Sequence, residues 1–208
     1  MFLAETLTVL TEGLKRTFDA DYPVEDFRDL HVSIEYPAEE QHYPGIWVNF
    51  DVAGDLSIAG INHREYLESV VDGETRFGEV TRWRFEGQST FTLVSLTSLA
   101  RARLLDEMVR IIGMGHLEPG RGAFRSWIND NPLIGLSMAW DKIALQGMAE
   151  TEGTPWGTDD LLYEVTLAVD TIGEFTSDPS GLLIPLSAIR VYQAAEGQPD
   201  PRPGEGWA

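Results

Sequence analysis

RWRFEGQSTFTLVSLTSLARARLLDEMVRII, residues 82–112, holds two periods in one run. Trp83, Phe85, Phe91 and Leu93 fall on one side of its first half. Arg82, Arg84, Glu86, Gln88, Thr90 and Thr92 fall on the other. Alternation of this kind suits a strand with one buried face, because successive side chains point to opposite faces. After Ser95 the spacing changes. Leu104, Leu105, Met108, Ile111 and Ile112 recur every three to four residues, which predicts an amphipathic helix. Thr97 or Ser98 can cap its first turn, and Gly113 and Gly115 are placed to end it. A long strand therefore feeds a helix that folds back on the sheet.

Upstream, Leu3, Leu7, Leu10, Leu14 and Phe18 form one apolar stripe, which predicts a first helix. Leu30 to Tyr36 reads as a strand closed by Pro37, and Ala38 to Pro44 as a polar loop. Ile46, Val48, Phe50 and Val52 alternate with polar neighbours and predict a second strand. Leu56 to Ile61 reads as a short returning strand, and His63 to Thr75 as charged and irregular, with one helical turn around Tyr66. Downstream, Phe124 to Asn129 reads as a single helical turn, and Leu133 to Leu145 as a bent strand or a hairpin. Gln146 to Thr158 reads as a long loop, and Tyr163 to Asp170 as a strand. A turn at Asp178 to Gly181 and a last strand from Leu182 to Tyr192 follow. The sum predicts an α+β fold: a mostly antiparallel sheet with two main helices on one face. Residues 1–193 are expected to form one domain, with 114–160 a loop-rich insertion and 194–208 a flexible tail.

The chain has 208 residues and a net charge of −19, from 34 acids against 15 bases. Thirteen of the bases are Arg. Eight of these lie between Arg76 and Arg125 against five acids, leaving +3 there and −22 elsewhere. Such a chain lacks the basic footprint of a duplex-binding protein. Arg concentrated in one block suits a surface that meets carboxylates through forked hydrogen bonds. The chain has no Cys, which excludes disulfides and thiolate metal sites. The start MFLAETLTVL lacks a basic leader, and no apolar run reaches the ~20 residues that span a bilayer.

Motifs of chemistry are scarce. Gly135-Leu136-Ser137-Met138-Ala139 resembles a nucleophile elbow, but His116, the last histidine, precedes it. His31, His42, His63 and His116 show no helical ligand spacing, and each reads as a surface or strand residue. No phosphate-binding glycine loop is present. Glu39-Glu40 and Asp159-Asp160 sit in polar loops, where a carboxylate-pair hydrolase would need burial to separate two pKa values. No cofactor or metal is expected, and the work of this protein is expected to be done by its surfaces.

The order of segments resembles the tail terminator proteins of long-tailed bacteriophages, in the larger form of actinobacteriophages. The resemblance rests on Tyr36-Pro37, Glu39-Glu40 and Pro44 to Val48, on Val94 to Glu107, and on Pro155-Trp156-Gly157 with Leu162-Tyr163-Glu164. It covers roughly residues 3 to 192 as a match of pattern and order. It implies a structural protein of the virion neck, assembled in the host bacterial cytoplasm, and no enzyme. Such proteins form a hexameric ring that caps the tail tube and receives the head-completion (stopper) protein. DNA passes through the lumen without sequence-specific binding, and no membrane is involved. A related neck adaptor or minor tail protein would share the acidic surface. Arg82, Arg84, Arg101, Arg103, Tyr43, Tyr66 and Trp156 are the candidate interface residues, as arginines and loop aromatics are common interface anchors.

Overall fold

The computed structural model describes residues 2–54, 56–58, 65–71, 74–115, 117–131 and 133–177; of residues 58, 65–71, 74–80, 176 and 177 it describes the backbone. Within these residues the elements run α1 (Phe2–Thr17), β1 (His31–Ser33), β2 (Gly45–Val52), β3 (Ser57–Ile58), β4 (Glu65–Val71), β5 (Glu74–Ser95), α2 (Ser98–Met114), α3 (Ala123–Asp130), β6 (Gly135–Glu152) and β7 (Leu161–Ser177). The fold is α+β. The sheet runs β1-β2-β5-β7-β6, with β3 and β4 also pairing to β5. Every pair is antiparallel except β1 with β2.

The strand-to-helix run behaves as its periods demand. Phe85, Phe91 and Leu93 are buried, and so are Leu104, Met108, Ile111 and Ile112 of the returning helix. Thr97 caps α2, its Oγ1 accepting from the Ala100 amide at 3.1 Å. Gly113 does not stop the helix, which runs on to Met114. Gly115 follows at φ −54°, so it is not needed for a left-handed turn. What it needs is space: a Cβ there would lie 2.7 Å from the Arg121 carbonyl oxygen.

All three helices pack on the face of the sheet that carries Phe91, Leu93, Val165 and Leu167. From α1, Leu10, Leu14 and Phe18 enter this core; from α3, Phe124 and Ile128 do. One helix–helix and one strand–strand approach are close. A Cβ at Gly13 of α1 would lie 2.9 Å from both Phe124 and Trp127 of α3. A Cβ at Gly173 of β7 would lie 1.9 Å from the Phe85 ring, so the ring occupies the space a side chain there would take.

Four expectations change. Residues 65–71 form β4, a strand registered against 74–80 of β5, where an irregular stretch with a helical turn was expected. Gln146 to Glu152 continue β6, so the loop there is confined to residues 153–160. Phe124 to Asn129 sit in a two-turn helix and not a single turn. Residues 114–160, expected to be loop-rich, carry α3 and the 18-residue β6. The turn at Asp178, the strand at Leu182 to Tyr192 and the tail from Ala194 lie outside the described residues. No described helix is long and apolar enough to cross a membrane.

Candidate interaction surfaces

The face of the sheet turned away from the helices is polar. It is built from the alternate residues of the same strands. Asn49 and Asp51 come from β2, Arg82 to Thr92 from β5, and Thr166, Asp170 and Glu174 from β7. These side chains bond to one another across the strands. Thr92 and Thr166 hydroxyls lie 3.0 Å apart, Gln88 donates to Asp170 at 3.2 Å, and Lys142 of β6 reaches the same carboxylate at 3.2 Å. The Lys142 and Gln88 hydrogen bonds hold the Asp170 carboxyl below its usual range.

Arg82 and Arg84 belong to this wall. Arg82 lies 3.7 Å from Glu174, and Arg84 donates to Glu86 at 2.9 Å. Their charges are therefore engaged within the subunit. Arg101 and Arg103 sit elsewhere, on the first turns of α2. Arg101 lies over the Tyr163 ring at 5.4 Å and reaches the Ala149 carbonyl oxygen, tying α2 to the β6–β7 end. Arg103 pairs with Asp26 at 2.6 Å. The Arg block is thus split between two opposite sides of the sheet.

Tyr43 and Trp156 come together. Their rings meet edge to face at 5.1 Å, each half-buried, and Tyr43 donates to the Pro37 carbonyl oxygen at 2.7 Å. Tyr36 joins them: its hydroxyl donates to Glu164 and its ring lies against Trp47 at 5.6 Å. Burial raises the Tyr36 hydroxyl above its ordinary value, and the Glu164 carboxylate adds to that. The result is an aromatic clasp that fastens the Ala38 to Pro44 loop to the 153–160 loop. Tyr66 lies on β4, where its backbone faces Glu79 across the hairpin.

Three arrangements were not foreseen. Tyr36, Trp47 and Glu164 complete the clasp; the outward positions of Trp47 and Glu164 on alternating strands were the available signal, while Tyr36 lies in the connection after β1. His31 stacks on His42 with ring centres 3.9 Å apart, so two histidines without local ligand spacing meet in the fold. Burial holds the His31 imidazole below its ordinary pKa, and the His42 and Lys15 charges add to this against the opposing pull of Glu39. Glu107, a polar residue on the core side of α2, accepts from Arg121 at 2.9 and 3.2 Å and from the Tyr22 hydroxyl at 2.7 Å. This network pins the loop after α2 to the turn that follows α1.

The sites of conventional chemistry do not assemble. Ser137 lies inside β6 opposite Ile172, in a continuous strand and not at a strand-to-helix turn. Glu39, Glu40, Asp159 and Asp160 are all exposed. No group of three or more metal-ligating side chains gathers among the described residues. An open cleft of about 830 Å³ lies between the end of α1, the 115–122 loop and α3. Its two arginines are occupied by indole rings, Arg16 over Trp127 at 3.9 Å and Arg125 over Trp140 at 4.9 Å. No protein-family model matches the chain, and the search of curated proteins finds no match.

Proposed function

We propose that this chain is the subunit of a ring that caps the tail tube of a long-tailed bacteriophage. The ring ends tube polymerisation and presents its other side to the head-completion (stopper) protein, and DNA passes through its centre. In this reading the protein makes and breaks no covalent bond.

The observation that carries the proposal is the broad polar wall of the sheet. Across β2, β5 and β7 its side chains bond mainly to one another, and its arginines are already paired to Glu86 and Glu174. A wall of that kind offers phosphate no free cationic grip. With −19 on the chain, the protein repels a polyanion over most of its surface. Duplex DNA held by Lys and Arg would bind and stop; beside paired, net acidic side chains it slides. The order of segments and the α+β architecture support the same reading.

The test is tube length. Purified protein added to polymerising tail tubes should cap them, and electron micrographs should show tubes that stop growing and bear a ring at one end. Unchanged length distributions and bare ends at saturating protein would overturn the proposal.

A further inference from the structure

The strap formed by residues 38–44 is fixed to the rest of the subunit by rings on two consecutive residues. His42 stacks on His31 of β1, with ring centres 3.9 Å apart and planes 16° from parallel. Tyr43 meets Trp156 of the 153–160 loop edge to face at 5.1 Å. The strap's own hydrogen bonds are local. The His42 amide donates to the Glu39 carbonyl oxygen, the Tyr43 amide to that of Glu40, and the Tyr43 hydroxyl to that of Pro37. These bonds shape the turn, whereas the two rings attach it. Because the anchors are neighbours in the chain, losing one removes the high local concentration that keeps the other seated. Residues 38–44 contribute nothing to the hydrophobic core, so the fold does not depend on the strap staying down.

One of the two anchors changes charge in mild acid. Imidazole is the side chain that ordinarily titrates between pH 5 and 8. Water reaches the stack, because an open hollow of about 320 Å³ lies beside it and the His42 side chain is 30% exposed. The charges around the two rings come from three sides. Lys15 of α1 opposes a proton on His31, and Glu39 of the strap, 3.9 Å from His42 Nε2, favours one. The segment before β1 brings Asp26, Arg28 and Asp29 to the hollow. Asp26 is engaged by Arg103 at 2.6 Å, and Arg28 donates to the Tyr22 carbonyl oxygen at 3.0 Å. On the β2 side Gly45 lies opposite His31 and adds no charge. A first proton on the pair therefore has Glu39 as its counter-charge. A second proton sets two like charges face to face, and Lys15 adds to their repulsion.

We propose that the strap is an acid-released latch. With the imidazoles neutral, or sharing one proton, His42 stays on His31 and Tyr43 on Trp156. When both rings are charged they part, the strap lifts, and the Tyr43–Trp156 contact opens with it. The latch belongs to the single subunit and stands whether or not that subunit joins a ring.

The test is cleavage of the strap. Glu-C protease cuts after Glu39 and Glu40, both exposed, once the strap opens. Its rate on the protein, divided by its rate on a free peptide of residues 34–47 at the same pH, reports the open population. That ratio should be flat from pH 8 to about 6.5 and rise below it, by up to about tenfold per pH unit for each proton taken up on opening. His31→Phe keeps a ring in the stack that takes no proton, and its ratio should stay flat down to about pH 5. A parent ratio that changes less than about twofold, or an equal rise in His31→Phe, would overturn the latch. NMR of the parent decides the same point without a variant. The Trp156 indole signal should move with the lower of two imidazole titration steps. An indole signal that stays fixed down to about pH 5 would overturn the latch as well.

Discussion

Replacing Arg121 by Met should destabilise this fold substantially, because it unpairs a buried carboxylate. The Arg121 side chain is 12% exposed and that of Glu107 is 9% exposed, so the pair is nearly dry. The guanidinium makes two hydrogen bonds to Glu107, at 2.9 and 3.2 Å, and lies 2.9 Å from Glu118. Removing one member of a buried pair costs about 3–5 kcal/mol, because the other charge stays behind without water. Here Tyr22 still donates to Glu107 and Arg110 stays 3.6 Å away, which brings the expected loss to about 2–3 kcal/mol. For a chain of this size that is a fall in Tm of about 5–10 °C. Glu107→Gln combined with Arg121→Met should recover part of the loss, since no buried charge remains.

The pH dependence has a definite sign. Burial alone would raise the Glu107 carboxyl, but hydrogen bonds from Arg121 and Tyr22 outweigh it and leave it below its ordinary value of 4.5. A group whose folded pKa is lowered stabilises fully above its unfolded value, and that contribution is lost as pH falls through the lowered one. The stability gap between the parent and Arg121→Met should therefore be largest near pH 7 and shrink as pH falls, beginning where Glu107, its burial no longer outweighed by Arg121, protonates in the variant. Urea unfolding followed by tryptophan fluorescence at several pH values reads both quantities. A gap under about 0.5 kcal/mol at pH 7, or one that does not shrink in acid, would refute the reasoning.

Two further outcomes are expected. Gly173→Ala should destabilise by about 1–3 kcal/mol, because its methyl would press into the buried Phe85 ring; Phe85→Leu in the same chain should relieve part of this, and the urea midpoints of the two variants would test it. His31 should titrate below 6.5, so that the neutral stack stabilises fully above that pH and fades as pH falls through the lowered value. His42→Asn should move the His31 midpoint upward without restoring it fully, since burial is the larger cause; an NMR titration showing His31 at or above 6.5 in the parent would contradict this.

The sequence was most legible where one period governed a segment. The change of spacing at Ser95 placed both β5 and α2, and Thr97 capped the helix as its side chain allowed. Legibility failed where exposure removed the pattern. Beyond Ile143, β6 lies open on both faces, so Gln146 to Glu152 show no alternation; main-chain pairing to β7 makes them a strand. The hairpin was hidden by its charges. The Asp72-Gly73 dipeptide was the signal to weigh, because Asp-Gly between short β-prone runs favours a two-residue turn. Arg82 and Arg84 were visible as an Arg cluster, but their pairing to Glu174 and Glu86 depends on cross-strand register and on geometry within β5. The His31–His42 stack and the Glu107–Arg121–Tyr22 network join residues 11, 14 and 85 positions apart in sequence, which no local period can show.

Multi-angle light scattering of the purified chain, alone and with tail tubes added, tests the central claim most directly. The ring account predicts a species of about 139 kDa, six copies of the 23.2 kDa chain, formed in solution or recovered when capped tubes are dissociated. A chain that stays at 23.2 kDa under both conditions would contradict it.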